Sequence, residues 1–207
     1  MKKILIITFG LLFVFTNVNS QKRKVKKNKT EKINYNNIEW RNIGPFRGGR
    51  SVTSSGVLDH PNIFYMGTTG GGLWKTEDYG SSWNNISDGF FKTGTVGSVS
   101  VSESDPNVVV VGMGEHAARG VMTSMGDGVY ISLDAGKTWI NRGLKNSRHI
   151  SDIIIHPKNP NIIYVSVQGA QYGKSKDRGI YKTLDGGKSW KNILFINDST
   201  GASSLSM

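Results

Sequence analysis

Arginine is the side chain in this sequence most suited to binding chemistry, because its planar fork of N–H groups matches a carboxylate or phosphate. Arg47 and Arg50 flank a glycine pair in Phe46-Arg47-Gly48-Gly49-Arg50, and Arg148 adjoins His149. Glu115 and Arg119 enclose His116, while Tyr172 and Arg178 bracket a polar stretch. Brought to one surface, Arg47, Arg50, Glu115, Arg119, Arg148, His149, Tyr172 and Arg178 would form a basic, partly aromatic pocket for an acidic ligand. Each also has a plainer use. Arg47 and Arg50 can bond loop carbonyls or pair with Glu115, and His149 can be a hydrogen-bonded strand residue. No catalytic residue is assigned. The four histidines show no metal-ligand spacing and there is no cysteine, so neither a metal site nor a cofactor is expected. Gly70-Gly71-Gly72 would suit a phosphate, but no helix follows it, and a tight hairpin is the expectation.

A second set of polar residues recurs. Thr76-Glu77-Asp78-Tyr79-Gly80-Ser81-Ser82-Trp83, Ser132-Leu133-Asp134-Ala135-Gly136-Lys137-Thr138-Trp139 and Thr183-Leu184-Asp185-Gly186-Gly187-Lys188-Ser189-Trp190 share one pattern, with tryptophans 56 and 51 residues apart. In each, the Asp can accept backbone N–H bonds and stiffen a turn. Gly80, Gly136 and Gly187 supply a positive φ. Trp83, Trp139 and Trp190 carry apolar surface between neighbouring sheets. Asp78, Asp134 and Asp185 are therefore read as turn fasteners, an assignment that leaves them little freedom for catalysis.

A repeat near 50 residues implies an array of like units. Short runs rich in Val, Ile and Tyr, broken by Gly, Asn, Asp and Pro, predict strands, and no stretch holds a helical period. Each unit divides into four strands: 51–57, 62–67, 72–76 and 82–86; then 96–101, 107–112, 128–132 and 138–142; then 149–155, 161–167, 179–183 and 189–196. Pro61-Asn62, Pro106-Asn107 and Pro160-Asn161 mark the turns between first and second strands. Four-stranded units arranged radially make a β-propeller. The expected fold is thus all-β, an incomplete propeller with blades at about 51–88, 96–143 and 149–196. Residues 38–43 would be the closing strand of a last blade, and 201–207 the start of a fourth. Such a piece would belong to a longer protein, and its open sheet edges would favour self-association. Extra residues between second and third strands, 115–125 and 171–177, are where a repeat array builds its binding face.

The first 20 residues run basic, apolar, then small and polar, which predicts a signal peptide cleaved near Ser20 and a secreted, periplasmic or cell-surface protein. The apolar run is too short for a stable membrane span. Of the net charge of +11, a short leader (21–35) holds much. Lys22, Arg23, Lys24, Lys26, Lys27, Lys29 and Lys32 stand against Glu31 there. The leader reads as disordered. The body from Ile33 carries 17 basic and 14 acidic side chains, and this balance gives no nucleic-acid signature.

Several segments together resemble the secreted Asp-box propellers, also called bacterial neuraminidase repeats, and within them bacterial proteins with a sortilin-type N-terminal propeller. They are Ile43-Gly44-Pro45-Phe46-Arg47-Gly48-Gly49-Arg50, Gly126-Asp127-Gly128-Val129-Tyr130, Ser147-Arg148-His149-Ile150, Arg178-Gly179-Ile180-Tyr181 and Thr200-Gly201-Ala202-Ser203. The resemblance implies a chain that continues through one or two whole propellers. It extends more distantly to sialidases, whose first arginine sits in Phe-Arg-Ile-Pro. Here Phe46-Arg47 matches only half of that motif. Xyloglucanase-type glycoside hydrolases are also similar, and carry a catalytic Asp where this chain has Thr69, in Tyr65-Met66-Gly67-Thr68-Thr69-Gly70-Gly71-Gly72. Threonine cannot serve as the acid or base of glycosidic cleavage. The expected function is an exported binding or scaffold module that recognises a peptide or glycan on its channel face. The alternative is a glycoside hydrolase whose acidic catalytic residues lie mostly outside this sequence.

Overall fold

The computed structural model describes residues 49–116 and 124–207. The expectations for 1–20, 21–35 and 38–43, and the candidates Arg47 and Arg119, lie outside the described residues.

Alternating apolar residues and glycine-punctuated turns produce three four-stranded antiparallel sheets in simple meander order. The first comprises β1 (Ser51–Val57), β2 (His60–Thr68), β3 (Leu73–Thr76) and β4 (Asn84–Asn85). The second comprises β5 (Val96–Val101), β6 (Val109–Met113), β7 (Val129–Ser132) and β8 (Ile140–Asn141). The third comprises β9 (Ile150–Ile155), β10 (Ile163–Val167), β11 (Gly179–Thr183) and β12 (Lys191–Leu194). The fold is an incomplete β-propeller of three blades.

Packing follows from the two-residue period of a strand. In β6 the side chains of Val109, Val111 and Met113 join Tyr65, Leu73 and Val99 in one core between the first and second blades. Val110, with Val129 and Ile131 of β7, joins Ile150, Ile153, Ile163 and Val165 in a second core, between the second and third blades. The middle blade is thus apolar on both faces, which is why its strands read as continuous valine runs rather than alternating ones.

The first strands of successive blades lie side by side. Val99 N–H donates to Thr53 Oγ1 at 3.1 Å and Val101 N–H to Ser55 Oγ at 3.3 Å. Glycine is required where they pass closest: a Cβ on Gly97 would lie 2.2 Å from both the Gly114 and Ile150 carbonyl oxygens.

Two expectations need correction. Pro61 does not end the first hairpin but lies within β2; Val57 pairs with His60, so Leu58-Asp59 forms the turn. Residues 201–207 form no strand. They run beside β9 through scattered bonds: Ser151 Oγ to the Ala202 carbonyl (2.8 Å), Ala202 N–H to the Val167 carbonyl (3.2 Å) and Leu205 N–H to Asp152 Oδ2 (2.8 Å). A side-chain donor (Ser151), a side-chain acceptor (Asp152) and one backbone bond to Val167 of β10 take the place of a regular ladder there.

Candidate functional site

An antiparallel meander alternates its turns between two faces. Connections between first and second strands and between third and fourth strands share one face. Connections between second and third strands, and between blades, share the other.

The Asp turns lie on the first of these faces. Thr76 Oγ1 donates to Asp78 Oδ1 (2.8 Å) and accepts from Gly80 N–H (2.8 Å), while Ser82 gives Asp78 both its N–H (2.8 Å) and its hydroxyl (2.6 Å). The same bonds recur at Asp134 with Ser132, Gly136 and Thr138, and at Asp185 with Thr183, Gly187 and Ser189. Bonds from Ser82 hold the Asp78 carboxyl at a pKa of about 2, and bonds from Thr138 hold that of Asp134 at about 2. The Asp185 carboxyl is likewise lowered, chiefly by the Ser189 hydroxyl. The turns also bond to the Pro-Asn corners: Tyr79, Ala135 and Gly186 N–H donate to the carbonyls of Asn62, Asn107 and Asn161 at 3.1, 2.9 and 3.0 Å. With every carboxylate oxygen engaged, these aspartates act as fasteners.

The opposite face carries a polar cleft of about 680 Å³ at the starts of the three inner strands, where a closed propeller would have its channel mouth. All three inner strands contribute: Val52 and Thr53 from β1, Gly97 and Ser98 from β5, Ser151 and Asp152 from β9. Arg50, at the entrance to β1, forms an ion pair with Glu115, just past β6. The carboxylate is buried, at 4% side-chain exposure against 53% for the guanidinium, so the pair neutralises a charge that could not stand alone there. The bond joins the first blade to the second. Beneath it, His149 is buried and its Nδ1 lies 2.7 Å from the Glu115 carbonyl oxygen. A carbonyl only accepts, so Nδ1 carries the proton. Burial lowers the His149 pKa below its usual value, opposed by that hydrogen bond.

The structure therefore brings Arg50, Glu115 and His149 together. It does not unite the other described candidates with them. Arg148 lines a separate cleft, with Nη1 3.1 Å from Met125 Sδ. Tyr172 is 75% exposed. Arg178 is buried and bonded to the carbonyls of Gln168, Ala170 (2.5 Å), Gly173 (3.0 Å) and Asp198 (2.8 Å). It clasps the third blade's insertion from within, because four carbonyl dipoles converge on its buried guanidinium. The described candidates do not form a single basic, aromatic pocket. Asp152, Ser98 and Ser151 were missed as lining residues. Their signal was faint: polar positions interrupting Val- and Ile-rich first strands. Among the described residues no cluster of His, Asp or Glu could hold a metal ion. No helix there is long and apolar enough to cross a membrane.

Thr69, at the position matched to the xyloglucanase-type aspartate, is engaged with the Arg50 carbonyl through both its N–H (3.0 Å) and its hydroxyl (3.4 Å).

Comparison with known proteins places this geometry. The Sortilin-Vps10 family model, described as sortilin, neurotensin receptor 3, matches residues 71–200. No curated protein sequence matches the chain. Among solved structures, an ancestral GH74 enzyme is similar with a TM-score of 0.58 at 20% identity, over 78% of this chain and 20% of that one. YCF48 bound to D1 peptide is similar with a TM-score of 0.52 at 15% identity, over 73% of this chain and 43% of that one. An auxiliary nutrient binding protein from Bacteroides thetaiotaomicron is similar with a TM-score of 0.51 at 13% identity, over 73% and 32%. The chain thus spans less than half the length of each, and at these identities the likeness is one of fold.

Proposed function

The chain belongs to the Sortilin-Vps10 family, and on that premise we propose that it is an exported binding module whose channel-mouth cleft holds an extended peptide. The observation that carries this reading is the composition of the cleft. Three parallel-running inner strands present hydroxyls, backbone groups and one carboxylate (Thr53, Ser98, Ser151, Asp152) around the Arg50–Glu115 pair. Thr53 Oγ1 and Asp152 Oδ2 each accept one internal N–H bond and Ser151 Oγ donates to the Ala202 carbonyl, so the lining offers a peptide backbone their remaining lone pairs together with the Ser98 hydroxyl. Sugar rings favour flat aromatic platforms, and among the described residues the cleft lining contains no Phe, Tyr or Trp. That a propeller of this fold can hold a peptide is illustrated by YCF48, solved with D1 peptide. The hydrolase alternative finds no support at Thr69, whose hydroxyl sits on the Arg50 carbonyl. The signal-like N-terminus supports export.

A heptapeptide array probed with the full chain tests the reading, beside Asp152→Asn and Arg50→Lys, which keep the local charge or shape. The expected result is a discrete peptide set bound by the wild type and weakened in both variants, with melting temperatures unchanged. Absence of any peptide bound by the wild type, or turnover of xyloglucan oligosaccharides or sialyllactose, would overturn it.

A further inference from the structure

Beside the channel mouth lies a second cleft, of about 480 Å³, between the loop leading into β9 and the third blade's insertion. Four cations line it: Lys145, Arg148, Lys174 and Lys176. The acidic groups nearby are Asp177, also in the lining, and Asp198, which pairs with Lys174 at 3.4 Å. Positive charge is therefore in excess. Arg148 is the most constrained of the four. It adopts a left-handed backbone with φ 60°, a conformation that costs an ordinary residue on the order of 1 kcal/mol. Its carbonyl is held inward by Gly126 N–H at 2.7 Å, and a Cβ on Gly114 would strike that carbonyl. With its backbone fixed, the Arg148 side chain projects into the cleft, where Met125 Sδ is its one hydrogen-bond partner among the described residues. A thioether is a weak acceptor for a guanidinium. Strained backbone, a weakly partnered fork and surrounding lysines occur at one place, as in sites that clamp a ligand.

We propose that this cleft takes the acidic side chains of a peptide ligand, with Arg148 gripping one carboxylate through its fork and Lys145, Lys174 and Lys176 setting the local potential. The inference rests on the peptide reading of the channel mouth and gives that ligand a charge: an acidic stretch flanking the segment in the channel. The three lysines act as point charges and the arginine supplies the directional contact.

Fluorescence anisotropy of the full chain with a labelled hexaglutamate peptide tests this, against a hexaserine control and a sulfated oligosaccharide of equal charge. The variants are Arg148→Gln, Lys176→Gln and, as a control, Lys137→Gln, an exposed lysine of the Asp-turn face. The basic leader is common to all, and a free peptide of residues 21–35 measures its share of the binding, which is subtracted. Arg148→Gln and Lys176→Gln should each weaken hexaglutamate binding about fivefold, the scale of one partly exposed charge contact. Lys137→Gln should leave it unchanged, and raised salt should weaken it. Hexaglutamate binding that is indifferent to Arg148→Gln, or tighter binding of the sulfated oligosaccharide, would overturn the inference. Failure of the channel-mouth reading would show differently, as a heptapeptide array indifferent to Arg50→Lys and Asp152→Asn.

Discussion

The Trp139 indole N–H donates to the Ile86 carbonyl at 2.8 Å, so the outer strand of one blade is fastened to the end of the blade before it. Trp190 repeats the bond on the Arg142 carbonyl at 2.7 Å. Trp139 also meets Phe91 edge-on, with centroids 5.2 Å apart, and Phe91 in turn meets Tyr130. The second and third repeats thus use the same residue at the same place to hold the preceding blade, whereas the Trp83 indole N–H donates to the Gly80 carbonyl of its own turn at 3.1 Å. Trp139→Ala should destabilise the protein by about 3–5 kcal/mol, as for a large core aromatic. Trp139→Phe should cost less, because ring packing survives. Urea unfolding followed by circular dichroism measures both.

The glycines of the second and third Asp turns, Gly136 and Gly187, pack against the preceding blade. Gly136 has φ 90°, and a Cβ there would lie 2.7 Å from Ile86 Cδ1. Gly89 also has a positive φ (83°) but faces open space. Gly136→Ala should therefore cost more than Gly89→Ala, about 2 against about 1 kcal/mol, the difference being the clash added to backbone strain. Paired thermal melts decide it, and equal losses would place the whole effect in the backbone.

Arg178 is a structural clasp here, so its replacement should loosen one loop. Arg178→Met leaves the carbonyls of Ala170, Gly173 and Asp198 without their donor, at a cost of about 3 kcal/mol. Trypsin should then cut faster at Lys174 and Lys176 than in the wild type, with the first two blades intact. Unaltered cleavage there would contradict the assignment.

Acid should act through the Asp turns. Asp78 and Asp134 have folded pKa values of about 2, below the ordinary 3.8. Their stabilising effect is complete above the unfolded value and is lost as pH falls from near 4 towards 2. Melting temperature should drop across that window, and Asp134→Asn should flatten the dependence. His149 has the same sign at higher pH, since burial lowers its pKa below 6.5. Its contribution is present above 6.5 and declines as pH falls through the folded value. A proton NMR titration should show His149 titrating below 6.5.

The blades were legible because their punctuation is local. Pro-Asn corners and Asp turns act within a few residues, so strand limits such as Gly179–Thr183 follow from the sequence. The site was legible in part. Arg50 and Glu115 were both candidates, yet 65 residues separate them, and only the stacking of blades brings them together. Arg178 looked like Arg50 in sequence, since burial by four carbonyls leaves no trace in residue type. Asp152 was hidden for the opposite reason: it sits in an apolar strand whose alternation, Ile-Ser-Asp-Ile, placed it on the channel only once the inner strand was identified.

Photocrosslinking tests the central claim most directly. A peptide selected on the array, carrying a benzophenone at its centre, is irradiated with the full chain and the adduct is mapped by mass spectrometry. Adducts at β1, β5 and β9 around Val52, Ser98 and Ser151 are the expected result. Adducts concentrated on the Asp-turn face, near Tyr79, Leu133 or Leu184, would contradict binding at the channel mouth.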